Sequence, residues 1–264
     1  MAQQTEKPRE DTAEQTVCYV YGIVPADVET DPEARGVGDP PSPIEAVRHG
    51  ELAALVSEIR ADRPLGKPED LAAHARILDA TSAEAPVLPL RFGAVLTGSE
   101  AVERELLAEH HDEFHAALQE LEGKAEYVLK GRYDEQAVLR EIVTENEEAA
   151  QLREEIRDKP ADATRNERIA LGELINNAIA AKREADTQHA LDALGELATT
   201  VNVREPTHEE DAVHVAFLAE VAAQQDLEQA VGELAGEWRD RVELRLLGPL
   251  APYDFVVTQQ PQQE

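Results

Sequence analysis

A mixed α+β fold in two domains, divided near residue 123, is the architecture this chain predicts. Three observations carry it. Apolar residues run at strand length over 17–24 and alternate with charges over 241–247. Long intervening stretches place apolar residues at helical spacing. The second half orders its segments as β-α-β-β-α-β.

In the first domain, expected over 17–122, the opening strand has two apolar faces. Val17, Tyr19, Tyr21 and Ile23 oppose Cys18, Val20 and Val24, which suits a central strand covered on each side. Residues 25–43 are rich in proline and glycine without periodicity, predicting a long loop in which Gly36-Val37-Gly38 is a flexible turn. Residues 52–59 predict a second strand. Pro68 fits the first turn of a helix whose stripe is Leu71, Ala75, Leu78 and Ser82, with His74 on that stripe as a structural residue. Pro86 and Pro89 favour extended backbone and interrupt ladder pairing, so 86–90 predicts a short edge strand. Ser99 predicts the cap of one helix over 100–121, with Val102, Leu106, Phe114, Leu118 and Leu121 on one face and His110 buried among them.

The second domain, expected over 123–258, starts with a strand at 126–130. A charged helix follows from Asp134 to about residue 158. Thr164-Arg165-Asn166-Glu167 fits a capping box, and Leu171, Leu174, Ile175 and Ala178 line the helix after it. Another helix is expected over 187–198. Strands at 200–204 and 213–221, a helix over 226–238 and a strand over 241–247 complete the unit. In that last strand Val242, Leu244 and Leu246 face inward and Arg241, Glu243 and Arg245 outward. This order matches a ferredoxin-like βαββαβ unit with extra helices, and the first half is a related β-β-α-β-α layered unit. Residues 1–16 and 259–264 read as disordered tails.

Composition narrows function. With 264 residues the chain has enough length for real cores. Aromatics are 4% of it, so alanine, leucine and valine must fill them. Nineteen arginines and six lysines against 55 carboxylates leave a formal charge of −30. Such a surface repels phosphate backbones and anionic membranes, which excludes nucleic-acid binding as the main function. It also repels itself until salt screens it. Cys18 is the single cysteine, so it forms no intramolecular disulfide and packs as a small hydrophobe. No run of 18 apolar residues predicts a membrane span, and the polar N-terminus lacks a signal peptide's apolar core, so a cytoplasmic protein is expected.

Catalytic chemistry is nearly invisible. The chain lacks phosphate-loop, dinucleotide and nucleophile-elbow motifs, and no cofactor is predicted. His111 and His115 are four apart, a spacing that metal ligands use, but a third ligand is missing and a solvated helix face is the expected reading. Glu145, Glu147, Glu148, Glu154 and Glu155 read as a salt-bridged face. Neither catalytic nor metal residues are assigned.

Four short blocks remain. They are Tyr19-Val20-Tyr21-Gly22-Ile23, Pro89-Leu90-Arg91-Phe92-Gly93, Gly172-Glu173-Leu174-Ile175, and Leu247-Gly248-Pro249-Leu250-Ala251-Pro252-Tyr253-Asp254-Phe255. In this order and spacing they resemble the F/L family of gas vesicle accessory proteins, over residues 17–257. The fourth block departs from the family pattern, with Leu250 and Ala251 where members commonly carry a tryptophan and a further proline. Length and the N-terminal tail resemble the L-type more than the shorter F-type. Many acids, few lysines and small apolar residues resemble a haloarchaeal protein, an ordinary acidic bacterial protein being the alternative. The resemblance implies a non-enzymatic accessory protein that binds the apolar shell subunit and other accessory proteins during assembly, or sits in the shell as a minor component. From the residues themselves, Arg91 and Phe92 are candidate partner contacts because an edge strand accepts another chain. Tyr253 and Phe255 are candidates as an aromatic tail that folds back or lies open. Phe92 reads first as a core residue, and the favoured reading of Arg91 is an internal clamp on a carboxylate across the two domains. A small α+β ligand-binding protein or enzyme with an unrecognised site is the competing reading.

Overall fold

The structure is a computed structural model, and it describes residues 15–256. It has a mixed α+β fold with two antiparallel sheets, and the chain divides into two compact units that meet between Glu122 and Gly123. Apart from Gln15 and Thr16, which join the first ladder, the expected disordered tails lie outside the described residues.

The first unit is organised by β1 (Thr16–Pro25), buried from Cys18 through Val24. It runs antiparallel to β3 (Leu52–Arg60), from Thr16 opposite Arg60 to Pro25 opposite Leu52, with a register shift between Val20 and Gly22. With β2 (Glu45–His49) and β4 (Leu88–Pro89) at the edges, the sheet order is β2-β3-β1-β4, and β5 (Val95–Leu96) also pairs with β1. At Gly22 a Cβ would meet the Leu88 carbonyl oxygen at 2.7 Å, so β4 (Leu88–Pro89) approaches β1 this closely because that residue has no side chain. The periodicity had not predicted β2 (Glu45–His49). It is a half-exposed edge strand broken up by Glu45 and Arg48, so it carries no apolar run.

Helix α1 (Pro68–Ser82) forms where expected but is rotated by about one position. Its buried face is Asp70, Ala73, His74, Ile77, Leu78 and Ser82, while Leu71 is 50% exposed. The rotation follows from Asp70, which turns inward to accept from the Arg63 guanidinium at 2.5 Å and from the Lys67 amide at 3.2 Å. The single helix expected over 100–121 is three pieces. Ser99 lies inside α2 (Ser99–Ala101) instead of capping it. A π-helical segment, Val102–Ala108, continues to a break at Glu109-His110, and α3 (His111–Glu120) follows. A π turn closes five residues on, so Val102 and Leu107 stack on the buried side and Leu106 moves outward. His110 sits at the break with its side chain 39% exposed, not in the core.

In the second unit β6 (Lys124–Tyr133) lies between β8 (Asp211–Glu220) and β9 (Val242–Leu250), and β7 (Thr200–Val203) closes the other edge. Tyr127, Leu129, Val215 and Phe217 bury one face of this sheet against Ile142, Leu194, Leu227 and Leu234. The charged helix expected over 134–158 is two, α4 (Glu135–Glu145) and α5 (Glu147–Ile156). Asp134 caps the first by accepting from Ala137, and Asn146 breaks the run by capping the second through Ala149. By contrast, two expected helices fuse into one, α6 (Arg165–Leu194), whose Leu171, Leu174, Ile175 and Ala178 pack on the core as the pattern predicts. Thr164 forms no capping box: its hydroxyl donates to the Pro160 carbonyl and accepts from Arg168. Helix α7 (Gln224–Glu237) completes the layer.

Arg241 overturns the expected alternation of the last strand. Instead of facing out with Glu243 and Arg245, it turns inward and grips Asp186 with two hydrogen bonds of 2.9 and 2.8 Å. Its Nε donates to Glu141 at 2.8 Å, and the guanidinium lies over the Tyr133 ring at 5.5 Å. Tyr133 donates its hydroxyl proton to the same Asp186, and Lys182 bridges Glu141 and Glu145. Burial, the Asp186 hydrogen bond and its charge all hold the Tyr133 hydroxyl protonated. Arg241→Ala leaves Asp186, 8% exposed, without its cation, so urea unfolding at pH 7 is expected to show a loss of about 3 kcal/mol. Arg241→Lys keeps the charge but not the bidentate fork, and is expected to lose about half as much.

Candidate partner-binding surfaces

Residues 89–93 are pinned from below. Pro89 and Leu88 pair with Gly22 and Ile23, and the Leu90 amide donates to the Tyr21 carbonyl. The chain then turns at Gly93, which takes a φ of +94°, and the Ala94 carbonyl accepts from Val20. Under this turn lies a buried polar cluster whose protons can be assigned. The Leu90 carbonyl can only accept, so His74 Nε2, 3.2 Å away, carries the proton. His74 Nδ1 is therefore the acceptor of the Tyr19 hydroxyl at 2.8 Å, and that oxygen accepts from the Gly93 amide at 3.3 Å. Burial holds the imidazole below its ordinary range, in keeping with a neutral ring. Beside it Tyr21 accepts from the Val37 amide and donates to Ser57, which donates to the Pro43 carbonyl.

This cluster separates the two candidates of the block. Phe92 is half-buried, its ring edge-on to His74 at 5.6 Å and tilted to Tyr19 at 5.9 Å, so it is chiefly a packing residue. Arg91 is exposed and makes no ion pair with a described residue of its unit.

The C-terminal block is fixed by charge. Strand β9 bulges where Val128 pairs with Leu247 but Glu126 pairs with Leu250, placing Gly248 and Pro249 opposite Tyr127. A Cβ on Gly248, with φ +149°, would lie 2.4 Å from the Tyr127 ring. Beyond the buried Ala251 and Pro252, Asp254 accepts from Arg204 twice, at 2.7 and 2.9 Å, and from Asn202 at 3.0 Å. Its own amide donates to Glu126, whose other oxygen accepts from Arg204 at 2.7 Å. One guanidinium thus serves two carboxylates unequally. Asp254 takes the bidentate face and stays below the ordinary range despite its partial burial, its hydrogen bond and attraction to Arg204 outweighing desolvation. Glu126, 2% exposed with a single Arg204 contact, is pushed up to about 7 by burial, the Asp254 charge adding to the rise. On either side of this anchor Tyr253 is 41% exposed and Phe255 half-buried.

His111 and His115 do share a helix face, their rings parallel with centroids 6.1 Å apart. His111 binds Glu51 and Asp112, while His115 accepts from Gln119. Among the described residues no group of three or more histidine, cysteine, aspartate or glutamate side chains is placed to hold a metal ion. No described helix is long and apolar enough to cross a membrane.

A family model described as gas vesicle synthesis protein GvpL/GvpF matches residues 17–257. The chain belongs to that family. Gas vesicle protein F of a Streptomyces strain is 36% identical over 249 residues, covering 90% of this chain and 98% of the relative. Gas vesicle protein L of the same strain is 29% identical over 263 residues, covering 90% and 91%. The crystal structure of gas vesicle protein GvpF from Anabaena sp. PCC7120 superposes with a TM-score of 0.77 at 24% identity, over 93% of this chain and 100% of that one. GvpF from Microcystis aeruginosa gives a TM-score of 0.71 at 23% identity, over 90% and 98%. The GvpL/GvpF membership makes this a protein of gas vesicle formation, and the two crystal structures share its fold.

Sequence reasoning had placed Tyr253 and Phe255 in a tail and passed over the residues that hold it. Glu126 was the available signal, a carboxylate inside the otherwise apolar run Ala125-Glu126-Tyr127-Val128-Leu129. The sign of its titration follows from the shift. Its folded pKa of about 7 lies above the ordinary 4.5, so the folded state binds more protons between those values. Its stabilising contribution is complete below about 4.5 and lost as pH rises through 7. Replacing Glu126 by glutamine is expected to remove that slope, read as the difference between wild-type and variant urea midpoints across pH 4–8. Arg204→Ala, which strands both carboxylates, is expected to lose about 3 kcal/mol at pH 8.

Proposed function

We propose that this chain is a non-enzymatic accessory protein of gas vesicle formation that binds the apolar shell subunit and other accessory proteins during assembly. Membership of the GvpL/GvpF family along residues 17–257 carries the reading. Its strongly shifted groups support the non-enzymatic part: Glu126, Tyr133 and Arg241 are each committed to partners inside the fold. The identities above, 36% to an F protein and 29% to an L protein, lean toward an F role over the expected L-type. The protein works in the cytoplasm and on the growing vesicle.

In architecture we read residues 17–122 and 123–258 as two domains. The strand order β7-β8-β6-β9 supports a ferredoxin-like second domain carrying α5 and most of α6 as extra helices. The first is a related layered unit with an added edge strand.

Contact with the shell subunit falls on Arg91 beside Phe92, and on Tyr253 with Phe255. A subunit that borders a gas space is apolar on one face and needs a cover before assembly. Burying that face stabilises a complex by roughly 25 cal/mol per Å², from which the costs of association are subtracted. The double variant Tyr253→Ala/Phe255→Ala keeps the Asp254 anchor, so it tests contact without dismantling the unit. In a pull-down at high salt the intact protein is expected to capture the shell subunit. Arg91→Ala and the double variant are expected to retain less than a fifth of it, with unchanged circular dichroism. No capture by the folded protein refutes the partner, whereas undiminished capture by both variants refutes these surfaces.

The charge of −30 further supports adaptation to salt. Between 0.1 and 3 M potassium chloride the thermal midpoint is expected to rise by at least about 5 °C as repulsion is screened. A flat midpoint removes the halophilic reading.

A further inference from the structure

We infer that the groove between α1 and α3 in the first unit is a docking site for a basic, amphipathic helix of a partner protein. The groove holds about 1250 Å³. That exceeds the space of an ordinary small-molecule site, which is roughly 300–1,000 Å³. A helix about 10–12 Å across that rises 1.5 Å per residue fills this space with roughly ten residues. Its floor is apolar, built from Ile44, Leu55, Ile77 and Leu118. One wall is a face of α1 on which Ala80 stands, continued past the end of the helix by Ala85, and both are small enough for a second helix to come close.

Charge selects the occupant. Six exposed carboxylates line the rim: Asp27, Glu29, Asp31, Glu51, Glu84 and Glu122. Asp27, Glu29, Glu84 and Glu122 make no ion pair among the described residues. The nearby guanidiniums are engaged elsewhere. Arg76, in the lining itself, donates to the Arg35 carbonyl, and Arg35 donates to the carbonyls of Pro32 and Ala34. Arg48 donates to those of Ala26 and Val28. These arginines fix the loop that the sequence had marked as irregular, making it a wall, and their hydrogen bonds go to carbonyls and not to its acids, which stay free to pair with an incoming cation.

Nothing in this chain supplies the complement. Residues 1–14 carry Lys7 and Arg9 against Glu6, Glu10, Asp11 and Glu14, residues 257–264 carry Glu264 alone, and a second copy brings a charge of −30. The occupant is therefore another protein, with lysine or arginine flanking an apolar stripe. This site rests on its own geometry and not on the shell-binding proposal.

A fluorescein-labelled twelve-residue leucine/lysine peptide with leucines at helical spacing is the probe, titrated into the full chain by fluorescence anisotropy in 0.15 M salt. A scrambled peptide of the same composition is the control. The amphipathic peptide is expected to bind the wild type at least tenfold more tightly than the scrambled one. Asp27→Asn/Glu29→Gln/Glu84→Gln/Glu122→Gln is expected to weaken it tenfold or more. Ala80→Trp, an exposed position where a large ring fills the trough without changing charge, is expected to do the same. Glu148→Gln/Glu155→Gln/Glu173→Gln/Glu196→Gln, matched in charge but on the other unit, is expected to stay within twofold. Equal binding of the two peptides, equal losses in the two quadruple variants, or no effect of Ala80→Trp overturns the proposal. No shell subunit enters this assay, so its outcome is independent of the capture experiment.

Discussion

Cations are in short supply in this chain, 25 against 55 carboxylates, and the second unit is built around that constraint. Its interior cations are shared. Arg241 holds Asp186 and Glu141, Arg204 holds Asp254 and Glu126, and Lys182 holds Glu141 and Glu145. Each of the two shared arginines ties elements that are distant in sequence: the turn before β9 to α6 and α4 in the first case, the C-terminal turn to the end of β7 and to β6 in the second. Removing Arg204 leaves two carboxylates without their cation and removing Arg241 leaves the buried Asp186 without its own, Glu141 keeping Lys182, so these contacts act as concentrated points of failure rather than as many small increments. The first unit is held differently. Its buried links are mostly neutral, running through Tyr19, Tyr21, His74 and Ser57, with Arg63–Asp70 as the buried ion pair that positions α1.

Aromatic residues are sparser than cations, one tryptophan, five tyrosines and four phenylalanines, and are used as connectors. Tyr19, Tyr21 and Tyr133 are at most 5% exposed, and each hydroxyl reaches a group on another element. Such placement serves two ends at once, because the ring fills the core and the hydroxyl orders a neighbouring loop or helix. It also explains why short blocks far apart in sequence are informative together. Tyr19 to Ile23 and Pro89 to Gly93 are two sides of one ladder, joined by backbone pairing and by the Tyr19 and His74 hydrogen bonds. The Gly248-Pro249 bulge packs on Tyr127, next to the Glu126 that receives the Asp254 amide.

Local period was legible where one element buries one face. β1, β3, β8 and the lined side of α6 follow from apolar spacing because each meets a continuous core. What changed phase was not legible. A π segment advances its buried positions by five, so a stripe drawn at helical spacing picks Leu106 where the fold buries Leu107. Asp70 rotates α1 because of a partner seven residues earlier, a cause outside any periodicity. β2 and β5 are short edges with too few residues for alternation to register. The candidate contacts show the same division. Arg91 and Tyr253 were recognisable as candidate contacts but their exposure was not, since an internal clamp suited Arg91 and the tail could fold back or lie open; Arg204, which fixes where Tyr253 lies, pairs across 50 residues with Asp254 and across 78 with Glu126.

The apolar partner proposed above would meet a desolvation problem on so acidic a protein, since covering an ionised carboxylate costs far more than covering a methyl group. Beside Tyr253 this cost is low. The Arg204 anchor carries one positive charge against two negative ones, and it becomes neutral when Glu126 takes up a proton near pH 7. The proposed groove between α1 and α3 has the opposite character, with a rim on which Asp27, Glu29, Glu84 and Glu122 make no direct ion pair among the described residues. An apolar surface laid on that rim would strip water from charges and gain nothing in return, whereas a cationic helix would exchange hydration for ion pairs while its apolar stripe met the floor. The two proposed surfaces would therefore select partners of different chemistry, and one excess of acid accounts for both: at the tail a shared arginine offsets one carboxylate and proton uptake by Glu126 removes the other, while at the groove the acids lack direct ion pairs.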